Sequence, residues 1–132
     1  MIALDTNILV RFLTEDDEAQ TALANALISS LSEKNPGFIC REVMVELVWV
    51  LERAYKRDRS AIAQAVEGLL AAPEIRVEAA EDIGRAAQRY REEGLGFADV
   101  MIAKAAERAG ASELVTLDRR AAGISNVRLL GS

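Results

Sequence analysis

The chain has 132 residues, 51% of them apolar, and carries 16 Lys and Arg against 21 Asp and Glu, a formal net charge of −5. That length and apolar content suit one domain over residues 1–132 with its own core, while the acidic balance argues against holding nucleic acid by bulk electrostatics, because proteins that do so are basic. With no histidine and a single cysteine, Cys40, zinc held by His or thiolate, Ser-His-Asp and Cys-His mechanisms and an intramolecular disulfide are all excluded.

In chain order, residues 1–5 read as a strand and 6–13 as a short helix opened by Thr6 or Asn7. Asp16, Asp17 and Glu18 start a helix to about residue 34, their charges suiting its N-terminal dipole. A short strand is predicted over 37–40, then two helices over 42–57 and 60–71, separated near Asp58. Pro73 and Glu74 precede a strand at 75–78. A helix over 80–93 stops at Gly94, and the turn through Gly96 launches another over 97–109, which ends at Gly110. A strand at 114–117, a helical turn at 119–122 and a last strand at 127–130 complete the pattern. Strands alternating with helices predict an α/β fold, a mainly parallel central sheet flanked by helices in three layers. Ligands gather at the carboxyl ends of such strands.

Four acids stand in apolar surroundings. Asp5 ends the run from Met1 to Leu4, and Glu46 lies within Val43–Val50. Asp99 interrupts Phe97–Ala103, and Asp118 follows Leu114–Leu117. A carboxylate buried there needs a partner or a metal. Asp5 and Asp118 fall at predicted strand ends. Glu46 sits at the edge of a helical stripe formed by Val43, Leu47, Val50, Leu51 and Ala54, and no cation lies three or four residues from it or from Asp99. Simpler roles stay open: Asp5 and Asp99 as helix caps, Glu46 at an exposed helix edge, Asp118 as a cap or a partner of Arg119 or Arg120. A metal in this chain must bind oxygen, which selects magnesium or manganese, and calcium less well.

Basic residues cluster at Arg53–Arg59, Arg85–Arg91 and Arg119–Arg120, each of which also reads as a solvated helix face. Met44 and Trp49 read as packing residues, and Cys40 as a small buried hydrophobe at a strand end. No signal peptide precedes the first strand and no apolar run is long enough to span a membrane, so the expected location is cytoplasmic, with no membrane partner.

The chain resembles PIN-domain ribonucleases, and more narrowly the VapC-type toxins of toxin–antitoxin modules. The likeness runs from Asp5-Thr6-Asn7, through Glu46 in Val45–Leu51 and Asp99 in Gly96–Ala103, to Thr116-Leu117-Asp118. The resemblance implies a metal-dependent endoribonuclease acting on single-stranded RNA, a homodimer, and inhibition by a cognate antitoxin. It implies Asp5, Glu46, Asp99 and Asp118 as catalytic acids, supported by Asn7 and Thr116. Asp5, Asp99 and Asp118 would bind magnesium, with manganese as a substitute, and Glu46 would bind it directly or through water, or orient the attacking water.

Two other classes stay in view. A receiver-like phosphotransfer module would have an early acid pair and a Lys at a late strand end, where this chain has Asp5 alone and Asp118. A haloacid-dehalogenase-like phosphatase would need Asp at position 7, which is Asn. A non-enzymatic binding or scaffold domain would use the same acids only as helix caps.

Overall fold

The computed structural model describes residues 1–131. Five short strands and six helices alternate along the chain: β1 (Ile2–Ala3), α1 (Thr6–Thr14), α2 (Glu18–Ser29), β2 (Gly37–Ile39), α3 (Arg41–Arg53), α4 (Arg59–Ala71), β3 (Ile75–Val77), α5 (Ala80–Glu93), α6 (Phe97–Arg108), β4 (Leu114–Thr116) and β5 (Val127–Leu129), with a 3-10 turn at Ala121–Gly123. Every strand pairing among the described residues is parallel, as the α/β alternation predicts. The sheet comes in two pieces rather than one: β1-β2-β3, with Ile2 beside Gly37 and Gly37 beside Ile75, and β4-β5, with Leu114 beside Val127. Parallel pairing sends the carboxyl ends of each set of strands to the same edge.

The helices follow their local signals closely, and their ends differ from expectation where turns intervene. α2 stops at Ser29, short of residue 34, because Ser32 and Asn35 close a turn in which each accepts a hydrogen bond from the other's backbone N–H (Ser32 through Oγ, Asn35 through its carbonyl), both at 3.1 Å. α3 ends near Arg53. Lys56 there takes a left-handed φ of 49°, and Arg57 N–H donates back to the Leu51 carbonyl at 3.0 Å, a closure across seven residues that halts the helix. Asp58 caps α4, its Oδ1 accepting from Ala61 N at 2.8 Å. α5 runs over the predicted residues and stops at Gly94, whose φ of 72° only glycine adopts without strain.

One hydrophobic cluster lies between these layers and includes Leu9, Ile39, Met44, Leu47, Leu51, Val66, Ile83 and Tyr90. The face of α3 that meets it is Met44, Leu47, Val48 and Leu51; Val43 and Val50 are only half-buried. Leu47 and Leu51 of the expected stripe thus lie on the core face, joined by Met44 and Val48 rather than by Val43 and Val50, while Trp49, read as a packing residue, is 56% exposed with the Arg53 guanidinium 5.8 Å from its ring centre. Cys40 is half-buried and begins α3 without a side-chain capping bond. Among the described residues no helix is long and apolar enough to cross a membrane.

The buried acid of this fold is Asp82, 5% exposed in the first turn of α5. Arg108, in the last turn of α6, donates to both of its oxygens at 2.6 Å and so pins two antiparallel helix ends together. Those bonds hold the Asp82 carboxyl below the usual carboxylate range, against the opposing effect of burial. Asp82→Asn is therefore expected to lower stability by about 2 kcal/mol at neutral pH, measured by urea unfolding. Because the folded-state pKa is the depressed one, the pair stabilises above the unfolded value of about 4 and loses its effect as pH falls through the folded one. The gap between wild type and Asp82→Asn should accordingly narrow in acid.

Candidate active site

Asp5 and Asp118 each lie two residues beyond a strand, β1 and β4. Both are held by short local bonds. Asp5, not Thr6 or Asn7, is the N-cap of α1, its Oδ1 accepting from Thr6 N at 2.7 Å. Asp118 Oδ1 accepts from Arg120 N at 2.9 Å, and Asp118 N–H donates to the Thr116 hydroxyl at 3.0 Å. These contacts use one carboxylate oxygen of each acid. The other, Oδ2, meets no protein donor among the described residues.

Glu46 projects from α3 on the side turned away from the core and is exposed. The Thr6 hydroxyl, itself 5% exposed, donates to its Oε1. Thr6 therefore holds two acids at once, Asp5 through its amide and Glu46 through its hydroxyl. Asp99 is the third residue of α6 and is half-buried. Burial pushes its carboxyl above the usual range, the nearby charge of Asp118 adds to the effect, and Arg120 partly offsets it. A side chain at Gly96 would place its Cβ 2.5 Å from Asp99 Oδ2, so the glycine leaves room for that carboxylate.

The arrangement corrects one expectation. The four acids are not buried: Asp5, Glu46 and Asp118 are exposed and only Asp99 is half-buried. Apolar neighbours in sequence marked a strand end or a helix but not the direction in which the side chain points. The acids assemble as two pairs, Asp5 with Glu46 through Thr6, and Asp99 with Asp118 through their charges. Among the described residues no three acidic or thiol side chains stand close enough to enclose a metal by themselves. Asn7 is exposed and bonds to none of the four acids, whereas Thr116 bonds directly to the Asp118 amide.

Residues 2–127 match the PIN domain family. The chain is also 32% identical to the VapC ribonuclease of Aquifex aeolicus (strain VF5) over 121 residues, 91% of this chain and 89% of that one. The chain belongs to the PIN-domain family, in its VapC-type branch. PIN-domain nucleases generally use divalent metals. The donors on this PIN domain suit one: hard carboxylate oxygens, two pairs of like charge, and oxygens left free of protein donors. Magnesium binds through one or two carboxylates and retains several waters, so it does not require three protein ligands in contact.

Two contributors escaped the sequence reading, and a third, Arg120, stood in it only as a possible partner of Asp118. Thr6 stands within the Asp5-Thr6-Asn7 triplet, but nothing local shows that its hydroxyl meets a residue on α3. Gly96 was legible as a turn and not as space for Asp99. Arg120, with 92% of its side chain exposed, is the cation beside the Asp99–Asp118 pair. A groove of about 980 Å³ between α3 and α6 touches the four acids only at Glu46 and is otherwise lined by residues such as Val45, Trp49, Met101 and Ile102.

Removing the Thr6 hydroxyl should loosen Glu46 without opening the core. Thr6→Val is expected to weaken manganese binding by roughly tenfold to a hundredfold, read by titration calorimetry, with an unchanged circular dichroism spectrum. Gly96→Ala should weaken it as well by displacing the Asp99 carboxylate. Wild-type affinity in Gly96→Ala would mean that the position of that carboxylate does not govern binding.

Proposed function

We propose that this PIN domain, a single unit over residues 1–132, is a magnesium- or manganese-dependent endoribonuclease toxin. The observation that carries the reading is the Asp99–Asp118 pair. Burial and the charge of Asp118, from a separate segment, raise the Asp99 carboxyl above its usual range, and among the described residues the solvent-exposed Arg120 is the cation that offsets this. The Aquifex relative, named as a ribonuclease, supports RNA as the substrate.

In this reading Asp5, Asp99 and Asp118 hold the metal, and Glu46 either joins them through water or orients the attacking water. When bound, the metal supplies an activated water and stabilises charge building on the phosphate. Thr6 fixes the Asp5 and Glu46 carboxylates, and Thr116 fixes the loop that carries Asp118. Asn7, exposed next to Asp5, is open to water or substrate.

The phosphate backbone needs cations, and the fold sorts the candidates. Arg91 is paired with Glu67 and Arg89 with Glu93, while Arg59 is turned inward. Arg119, exposed beside Asp118, is best placed to meet RNA, and Arg120, 92% exposed and only loosely paired with Asp118 at 3.8 Å, is free to turn to a phosphate as well, in contacts that weaken with salt.

We further propose a homodimer formed on the α3–α6 groove. Its apolar floor exposes Trp49 and Ile102, and its rim offers Arg41 and Arg108 along with Glu42 and Glu52, a mixture able to complement itself across a two-fold axis. A cognate antitoxin would hold the toxin inactive, in the cytoplasm, where the lone Cys40 stays reduced.

The test is cleavage of a fluorophore-labelled single-stranded RNA pool. Wild type should cut with magnesium or manganese, lose cleavage in chelator, and regain it when metal is restored. Asp99→Asn should lose at least about a hundredfold in rate with its unfolding curve preserved. Cleavage that persists in chelator would overturn the metal-dependent mechanism. A folded wild type that neither cuts RNA nor binds manganese would leave the scaffold reading, in which Asp5 and Asp118 serve only the capping and turn bonds seen here.

A further inference from the structure

We propose that Arg59 is a positioning residue for Asp99, acting through the turn that joins α5 to α6. The inference rests on the nuclease reading above. Arg59 is the first residue of α4 and is half-buried. Its Nη1 donates to the carbonyls of Tyr90 and Leu95, both at 2.9 Å. Tyr90 lies in the last turn of α5, where carbonyls have no partner within the helix. Leu95 lies in the three-residue connection just before α6. One guanidinium nitrogen thus ties the end of one helix to the approach of the next.

The same guanidinium stacks on the Tyr90 ring, 4.3 Å from its centre. That ring is 1% exposed and cannot move aside. Its edge-to-face neighbour at 6.3 Å is Phe97, the first residue of α6 and two residues before Asp99. The Tyr90 hydroxyl donates to Glu52 Oε2 at 2.8 Å, on α3, the helix that also carries Glu46. Arg59 from α4, Tyr90 from α5, Phe97 from α6 and Glu52 from α3 therefore meet at one place, directly behind the turn that aims Asp99.

Asp99 has little tolerance for a shift in that turn. Its carboxylate fills the space that a side chain at Gly96 would occupy, and Gly96 directly follows the Leu95 carbonyl that Arg59 holds. Lysine at position 59 would retain the charge. An ammonium is a point charge without the planar fork, so it cannot stack on Tyr90 and bridge both carbonyls in the same way.

The experiment compares wild type, Arg59→Lys and Arg91→Lys. The last is the control: Arg91 also links α5 to α4, through Glu67, but does not touch the turn. RNA cleavage and amide hydrogen exchange are measured on all three. Arg59→Lys is expected to lower kcat roughly tenfold to a hundredfold, with KM within about twofold because the phosphate-binding arginines are untouched. Exchange should quicken at the amides of residues 95–101 and stay unchanged in the core strands. Arg91→Lys should match wild type in both measurements.

An Arg59→Lys variant that cleaves like wild type would overturn the proposal. So would a loss of activity accompanied by faster exchange throughout the core, which is the mark of general destabilisation. If wild type itself cuts no RNA with any divalent metal, the nuclease reading fails, and the catalytic role given to Arg59 fails with it. The exchange pattern would still report whether Arg59 orders the turn, so the two failures are distinguishable.

Discussion

Mutual repulsion among carboxylates is the constraint around which this end of the molecule is organised. Burial and the nearby charge of Asp118 together raise the Asp99 carboxyl above its usual range, and Asp5 and Glu46 converge on a single threonine. Carboxylates left to themselves would separate into solvent. The fold prevents this with small, directional contacts: the Thr6 amide and hydroxyl, the Thr116 hydroxyl, the Arg120 amide, and a glycine that leaves space. None of these contacts is a full countercharge, so the negative potential stays concentrated at the surface, available to a cation and the waters it retains.

Asp82 is the opposite case within the same chain. Its carboxylate is buried, fully engaged by Arg108, and quenched. It fastens α5 to α6 and offers nothing to a ligand. Taken together, the two situations separate acids that hold the fold from acids the fold holds out. Full or partial exposure, with at most a loose cation such as Arg120 at 3.8 Å from Asp118, marks the second kind; burial with a bidentate arginine marks the first.

What was legible in the sequence follows from this contrast. The helix at 80–93 was readable because its periodicity and the glycine stop are local properties. Asp5 and Asp118 were readable because a strand ending in an acid is likewise local. The orientation of Glu46 was not. Val45, Leu47 and Val48 surround it in sequence, yet the face of α3 that packs inward is set by α1 and α4, which bring Met44 and Val48 to join Leu47 and Leu51 there in place of Val43 and Val50. Thr6 with Glu46, Arg59 with the α5–α6 turn, and Arg108 with Asp82 all join residues distant in the chain. No composition or spacing could have shown them. The two-piece sheet has the same origin: β1 is two residues long, and how many neighbours such a strand recruits is decided by tertiary packing.

The order of the acids along the chain has a consequence for synthesis. Asp5 and Glu46 lie in the first half, Asp99 and Asp118 in the last third, and neither pair contains the site by itself. A ribosome that has made the chain through β3 has made Asp5 and Glu46 and neither Asp99 nor Asp118. The completed cluster exists only once β4 and the loop after it have left the exit tunnel and docked. A message truncated before the codon for Asp118 encodes a chain that lacks at least one of the four acids. In the proposed reading, restraint by a partner first becomes necessary once that last segment has docked.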